Sequence, residues 1–557
     1  MTVTEYLKLR QSNCKNCYKC IRNCPVKSIR FGDNQANIIS DECILCGRCF
    51  VVCPQNAKHI RDDIPAARAL IAQGLPVYAS VAPSFVANYA GITMRSLETA
   101  LKKLGFTGAE ETALGAELVK TQYDAMVDAA QRGVIISSCC PTVNMLIQKH
   151  YPDALPYLAP VVSPMLAHCA DLKRRYPTAK TVFIGPCISK KQEAAVSADV
   201  DCALTFEELS AWLDAEHIQL EYEAEDAGSL SRLFPVPGGI LRSMKAANAD
   251  YAYLCVDGID NCARAIEELL DNKPGKCFIE MSACTGGCVG GPAMDAQQRQ
   301  PLRGGMAVSR YAGKSDAGIS CLPETLFKNF EPMALPRVHI SDKAIAEVLA
   351  QIGKTKPEHE LNCGSCGYNT CREKAVAVLQ GKANLTMCLP YLKEKAESFS
   401  DNIIAHTPNA IIVLNEDFIV QQLNSAACAL MNIRDPRDVT GEPVVRILDP
   451  RPFADAFGNK RNAYDKELYL ADYGRYVEQM VIYDADYHIL ICIMRDITEE
   501  VRQQHSKEAL SRTTVEIADR MIEKQMRAVQ EIASLLGETT AETRIALTRL
   551  KETLRDG

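Results

Sequence analysis

The sequence predicts a multidomain protein that mixes α/β and α+β units, and three observations carry that expectation. Its 557 residues exceed the usual length of one domain. From Ala66 to residue 345, short apolar runs that read as strands alternate with amphipathic stretches that read as helices. On either side the character changes, with cysteine repeats in 1–60 and 346–395, a strand-rich stretch in 396–500 and a helical tail in 501–557.

Composition narrows the class. The formal net charge of −7, with 24% charged residues, argues against a nucleic-acid-binding surface. No apolar run approaches membrane-spanning length, and the start Met-Thr-Val-Thr-Glu-Tyr lacks the basic and apolar regions of a signal peptide. The expected location is cytoplasmic, with no membrane contact. The 25 cysteines then read as metal ligands and free thiols, because disulfides seldom persist in that compartment.

Residues 1–60 hold Cys14-x-x-Cys17-x-x-Cys20-x-x-x-Cys24-Pro and Cys43-x-x-Cys46-x-x-Cys49-x-x-x-Cys53-Pro. This spacing resembles the bacterial two-cluster ferredoxins, in which the fourth cysteine of each run ligates the other cluster. One 4Fe-4S cluster is expected on Cys14, Cys17, Cys20 and Cys53, and a second on Cys43, Cys46, Cys49 and Cys24. Their expected role is electron relay. Closed four-cysteine zinc sites do not account for a duplicated eight-cysteine pattern with prolines.

The central region, 61–345, reads as mostly parallel α/β. Strands are expected at Val77–Val81, Val134–Ile136, Thr181–Ile184, Tyr251–Val256 and Cys277–Met281, with a helix over Met94–Leu104. Three of these strands run into cysteine. The segments are Val134-Ile-Ile-Ser-Ser-Cys139-Cys140-Pro141, Thr181-Val-Phe-Ile-Gly-Pro-Cys187-Ile-Ser-Lys190-Lys-Gln-Glu193 and Glu280-Met-Ser-Ala-Cys284-Thr-Gly-Gly-Cys288-Val-Gly-Gly-Pro292. Ligands of open α/β sheets gather at strand ends, and glycine lets a backbone approach a bulky group. Cys140, Cys187, Cys284 and Cys288 therefore read as four converging thiolates suited to an iron–sulfur cubane. One such segment alone would read as a buried structural thiol; three together do not. Cys169, Cys202, Cys255, Cys262, Cys277 and Cys321 lie outside the motifs and read as small buried hydrophobes.

Together the three segments resemble the active-site fingerprints of the iron-only (FeFe) hydrogenases. The resemblance implies a two-lobed catalytic domain around an H-cluster: a 4Fe-4S cubane on Cys140, Cys187, Cys284 and Cys288, with Cys288 bridging to a diiron unit that carries carbonyl, cyanide and dithiolate ligands. It also implies Cys139 as proton carrier beside the open iron position and Lys190 as hydrogen-bond donor to a cyanide. Glu193 completes that segment, and Ser138 and Ser282 neighbour the cofactor. The chain departs from the fast enzymes as well. Their proton relay of two glutamates and a serine aligns with Tyr123, Met126 and Ala159, which leaves Glu117, Tyr123 and Asp124 as substitutes or as ordinary solvated helix residues. Ser282 and Gly185 stand where methionines are usual, and Pro141-Thr-Val-Asn144 lacks a tryptophan. Changes around intact ligands tune potential and proton affinity.

Residues 346–395 contain Cys363-Gly-Ser-Cys366-Gly-Tyr-Asn-Thr-Cys371 and Cys388-Leu-Pro, resembling the small 4Fe-4S domain of corrinoid iron–sulfur proteins. Zinc is the alternative, since thiolates alone do not choose the metal. Residues 396–500 resemble a PAS sensor domain, with strands expected after Pro408, over Phe418–Leu423 and within Glu478–Met494, closing on Arg495-Asp-Ile-Thr498. Cys428 and His406 carry no haem signature. In the tail, Val515, Ala518, Ile522, Val529, Ile532 and Leu536 fall near heptad positions and suit a dimerising coiled coil, with packing onto the PAS region as the alternative. Gly537 is expected to stop that helix and Thr539-Thr-Ala-Glu542 to cap another.

The expected function is a sensory iron-only hydrogenase that interconverts H2 with protons and electrons. It would exchange electrons with a redox partner such as ferredoxin, depend on diiron maturation enzymes and signal to a protein in trans. One alternative is an ordinary fermentative or bifurcating hydrogenase, against which the missing relay argues. Another is a non-catalytic relative of the iron–sulfur assembly factors, which keep the cubane ligands without the diiron unit. Retention of Cys139, Lys190 and Glu193 argues against it.

Overall fold

Short strands and tight cysteine turns shape the first sixty residues. In the computed structural model, which describes residues 5–10, 13–224, 228–245, 248–272, 275–316, 318, 326–333, 335 and 340–553, four strands form two antiparallel ribbons. β1 (Leu7–Leu9) pairs with β4 (Lys58–Ile60), and β2 (Ile29–Gly32) pairs with β3 (Gln35–Ile38). Alternation sets the faces: Ile29 and Phe31 point inward, whereas Arg30 is exposed.

The next 240 or so residues carry β5 (Val77–Val81), β6 (Gly108–Glu111), β7 (Val134–Ile136), β8 (Lys180–Gly185), β9 (Cys202–Thr205), β10 (Ala252–Asp257) and β11 (Cys277–Ser282). They form two wholly parallel sheets, ordered β6-β5-β8-β9 and β10-β11-β7. β8 and β11 are buried almost throughout, which is why they read as unbroken apolar runs rather than alternating ones. Each cysteine segment begins where β7, β8 or β11 ends. Helix α1 (Ala113–Ala129) packs beside these sheets, α2 (Pro141–His150) starts directly after Cys140 with proline in its first turn, and α3 (Ser189–Ala195) follows Cys187.

Two cysteine expectations need comment. Cys169, Cys202, Cys262 and Cys277 are buried, but Cys255 is exposed, because β10 is the edge strand of its sheet; the Gly238 N–H donates to its sulfur at 3.0 Å. Cys321 lies outside the described residues.

The ferredoxin-like residues are fastened to this α/β region by directed contacts. Arg48 pairs with Asp260 at 2.6 Å, and the buried Lys149 ammonium donates to the Cys43 carbonyl at 2.8 Å. Lys191, fully buried, binds Asp63 at 2.7 Å and Glu208 at 2.8 Å, tying the connecting segment down. Gly47 (φ +72°) touches Pro292 so closely that a Cβ would lie 2.5 Å from the Pro292 Cβ. Further on, α4 (Cys371–Leu379) belongs to the small cysteine-rich module, and α5 (Leu389–His406) follows Cys388.

The chain divides into two units, Met1–Leu392 and Lys393–Gly557. In the second, β12 (Ala410–Asn415), β13 (Val420–Leu423), β14 (Ala463–Leu470), β15 (Arg475–Asp484) and β16 (Ile489–Asp496) form one antiparallel sheet ordered β13-β12-β16-β15-β14. β12 and β16 alternate buried with less buried positions, and their inner residues Ile412, Leu414, Leu490 and Cys492 pack with Phe453. α6 (Thr498–Thr553) is a single helix, so Gly537 does not stop it and no second helix is capped near Thr539. One helical glycine costs only about 1 kcal/mol, too little to break a long helix by itself. Val515, Ile522, Val529, Ile532 and Leu536 are exposed along it and do not fold back onto the sheet. Among the described residues no helix is long and apolar enough to cross a membrane.

Gly47 and Gly74 both have φ +72°, but a Cβ at Gly74 would meet nothing within 4 Å. Gly74→Ala therefore loses only left-handed conformational freedom, about 1–2 kcal/mol. Gly47→Ala adds the collision with Pro292 and is expected to lower the denaturant midpoint of the full chain by clearly more. Equal losses in the two variants would mean that the Gly47 contact yields without cost.

Candidate functional site

A cavity of about 130 Å³ in the first unit is lined by Cys140, Cys187, Cys284 and Cys288, with Cys139 and Lys190 beside them. The four thiols expected to converge do so, one from the end of β7, one from the end of β8 and two from the end of β11. The glycine loop makes this approach possible: a Cβ on Gly287 would lie 2.3 Å from the Pro235 carbonyl oxygen, and one on Gly291 2.6 Å from that of Pro186. The exposed surface of Cys288 borders this void; the thiol itself is enclosed, and burial drives its pKa far up, with Cys187 and Cys140 adding to the rise.

Cys139 faces the same cavity. Burial pushes its thiol up to about 12, against a lowering hydrogen bond with Tyr123. The Tyr123 hydroxyl lies 3.2 Å from Cys139 Sγ and 3.2 Å from Ser138 Oγ, and it accepts the Ser138 N–H at 2.9 Å. Tyr123 is 0% exposed. Of the three substitutes read on that helix, Tyr123 alone reaches Cys139. The Glu117 carboxylate accepts the Gly318 N–H at 2.6 Å, and Asp124 accepts that of Lys245. Ser138 and Ser282 are placed differently. Its hydroxyl donates to the Val161 carbonyl at 2.6 Å and it does not line the cavity, whereas Ser282 does.

Lys190 is held by Glu193 at 2.7 Å, one turn along α3, and Ser163 donates to the same carboxylate at 2.9 Å. Burial disfavours the lysine charge, but Glu193 and the neighbouring thiols Cys187 and Cys139 more than offset it and raise the pKa. The cation is thus fixed toward the cavity with its own counter-charge behind it.

Three smaller cavities repeat the theme. Cys24, Cys43, Cys46 and Cys49 line one, and Cys14, Cys17, Cys20 and Cys53 line another, the crossed grouping expected from the duplicated spacing. Cys363, Cys366, Cys371 and Cys388 line a third. Backbone N–H groups point at several of these sulfurs, including Ser28 to Cys24 at 3.3 Å, Leu45 to Cys43 at 3.4 Å and Ala57 to Cys53 at 3.3 Å.

The donor sets fit iron–sulfur clusters. Each is four thiols around a void, the ligand set such clusters take. The buried lysines supply a second test. Lys374 is 1% exposed, and among the described residues no carboxylate pairs with it. Burial lowers its pKa, and the groups that oppose this are Cys388, Cys366 and Cys371. Lysine is rarely buried without a counter-charge, so this site calls for thiolates rather than thiols. Lys58 lines the Cys14 cavity, and Lys149 sits beside Cys43. These lysines were not singled out from sequence, where nothing separates them from surface ones.

Glu280, on β11, also faces the large cavity. Burial raises its carboxyl to about 7, against the backbone N–H groups of Leu241, Gly238 and Ile240. A carboxyl moved from 4.5 to about 7 favours the protonated folded state, by roughly 3 kcal/mol relative to the ionised one. That stability is fully present below pH 4.5 and is lost as pH rises through 7. Glu280→Gln is expected to remove this fall, so the variant gains on the parent between pH 5 and 8. Parallel stability–pH curves for the two chains would show that Glu280 stays ionised throughout.

Comparisons with known proteins agree in outline. The family model "Iron only hydrogenase large subunit, C-terminal domain" matches residues 75–292, a 4Fe-4S dicluster domain matches 6–54, and an Fe-S cluster model matches 360–390. The Eremothecium gossypii cytosolic Fe-S cluster assembly factor NAR1 is 29% identical over 39% of this chain and 53% of its own length. The NADP-reducing hydrogenase subunit HndD of Solidesulfovibrio fructosivorans is 24% identical over 46% and 56%. Iron hydrogenase 1 of Clostridium pasteurianum is 26% identical over 41% and 50%. The chain spans about half the length of these curated relatives. It thus carries an iron-only-hydrogenase-like large-subunit domain preceded by a 4Fe-4S dicluster domain.

Proposed function

We propose that the chain is a sensory iron-only hydrogenase that interconverts H2 with protons and electrons. The observation that carries this reading is the single cavity on which Cys140, Cys187, Cys284 and Cys288 converge with Cys139 and Lys190 beside them. Those four cysteines would hold the cubane of an H-cluster, whose diiron half supplies heterolytic cleavage of H2 when bound. The other residues bind, orient and move protons. Lys190 offers an ammonium donor for an anionic ligand. Phe183, Phe234, Val236 and Met281 keep the cavity apolar and exclude water.

Cys139 Sγ is the group placed to hold and pass a proton, with the Tyr123 hydroxyl next to it. Burial keeps this thiol protonated at pH 7. Tyr123, Met126 and Ala159 stand where the relay residues of the fast enzymes align, so slow turnover is expected, which suits a sensor better than a fermentative enzyme. The order of the antiparallel sheet in the second unit (second, first, fifth, fourth, third) and the long helix after it support a PAS-type sensor with output through a partner in trans.

The similarity to an Fe-S cluster assembly factor favours a second reading, in which the cubane is present without the diiron unit and no catalysis occurs. Infrared spectra separate the two. Protein produced with diiron maturation enzymes is expected to show carbonyl and cyanide bands, and their absence from iron-replete protein would promote the assembly-type reading. Cys139→Ala is expected to keep those bands and lose about a hundred- to ten-thousand-fold in turnover, the usual cost of removing a general acid or base. Undiminished turnover would mean that protons enter elsewhere.

A further inference from the structure

The small cysteine module docks on the ferredoxin-like residues. The Arg22 guanidinium donates to the carbonyls of Gly364 and Ser365, both at 3.2 Å, and Lys27 Nζ donates to that of Gly367 at 3.0 Å. The Phe31 N–H donates to the Lys382 carbonyl at 2.8 Å, and Lys382 pairs with Glu42 at 2.7 Å. Gly367 has φ +94°, and a Cβ there would lie 2.9 Å from Ile21 Cγ2 and 3.2 Å from the Arg22 nitrogen. The backbone after Cys366 is thus pressed against the helix that leads to Cys24.

Tyr368 stands between the two thiol sets. It is 3% exposed, lines the Cys363–Cys366–Cys371–Cys388 cavity, and among the described residues its hydroxyl has no hydrogen-bond partner. Tyr368 packs in one buried cluster with Ile21, with Cys24 from one set and with Cys366 from the other. Lys27 lies over the Tyr368 ring, 5.9 Å from its centroid. On its other side the Cys24 set approaches the large cavity: Gly47 lines the Cys24 void, and a Cβ there would lie 2.5 Å from Pro292 and 2.8 Å from Ile188, the neighbours of Gly291 and Cys187.

We propose that the cluster held by Cys24, Cys43, Cys46 and Cys49 is a junction. One branch leads to the catalytic cubane, one to the cluster on Cys14, Cys17, Cys20 and Cys53, and one through Tyr368 to the small module. The small module is then a second electron terminal, reached from the ferredoxin-like side. Oxidation of one H2 releases two protons and two electrons, so the junction delivers them singly. In the step to the small module, the junction cluster is oxidised by one electron and the small-module cluster is reduced by one, with no bond broken and no proton moved. This inference rests on reading both cysteine sets as 4Fe-4S ligands.

Electron paramagnetic resonance of the reconstituted full chain, with iron counted in parallel, tests it. In dithionite-reduced protein the signals of the junction and small-module clusters are expected to split each other. Cys366→Ser with Cys371→Ser removes four irons and that splitting. Arg22→Glu with Lys27→Glu, which touches no ligand, is expected to keep the iron and lose the splitting. Gly367→Val provides an independent break in the same contact. Iron short by four in the parent chain would overturn the ligand reading itself. A full iron count with magnetically isolated signals would overturn the junction alone, as would splitting that survives both docking variants.

Discussion

Everything in the hydrogenase-like region depends on a space that no side chain enters. Four thiols must face one another across it while three separate strand ends are held together by other means. Backbone contacts do the holding: the Cys288 N–H donates to the Pro235 carbonyl at 2.7 Å, and the Ala293 N–H to that of Pro186 at 3.1 Å. Glycine is required at 287 and 291 because a Cβ at either would meet a carbonyl oxygen. The cavity is therefore built by main chain and lined by sulfur. Burial raises the thiols of Cys140, Cys284 and Cys288, so without metal these carry little charge, and loading the site must release protons.

Much of this was legible in the sequence. Cysteine spacing reports local geometry directly, and the crossed grouping of Cys24 with Cys43, Cys46 and Cys49 follows from the duplicated run. Strands buried on both faces announce themselves as apolar runs, hence the near agreement at β5, β7, β8 and β11. What stayed hidden depends on packing between distant segments. Which of Glu117, Tyr123 and Asp124 reaches Cys139 stays open until α1 is laid against the Ser138–Cys139 turn. The exposure of Cys255 follows from its strand lying at a sheet edge, a position that a run of apolar letters does not specify. Lys374 and Lys149 carry no mark of burial in the sequence, because a lysine's surroundings are set by the fold.

Charge placement links these parts. Lys190 beside the large cavity, Lys58, Lys149 and Lys27 in and around the ferredoxin-like residues, and Lys374 in the small module each put a cation within reach of a thiol set. Only Lys190 among them has a carboxylate at ion-pair distance among the described residues. The other four donate to backbone carbonyls, and anionic sulfur nearby would add to their compensation, which couples the stability of each module to what its cysteines hold.

The contact between Arg22 and Gly364 spans 342 positions of the chain. During synthesis the ferredoxin-like residues leave the ribosome long before their docking partner exists. At about 5–20 residues per second, the wait is roughly 17 to 70 s. Throughout it, the surface around Ile21 and Phe31 stays uncovered, and the newly formed thiol sets beside it meet solvent on that side. The nascent chain thus passes through a period in which its first metal sites are open to oxidants and to other hydrophobic surfaces, and the Cys363–Cys388 module closes it.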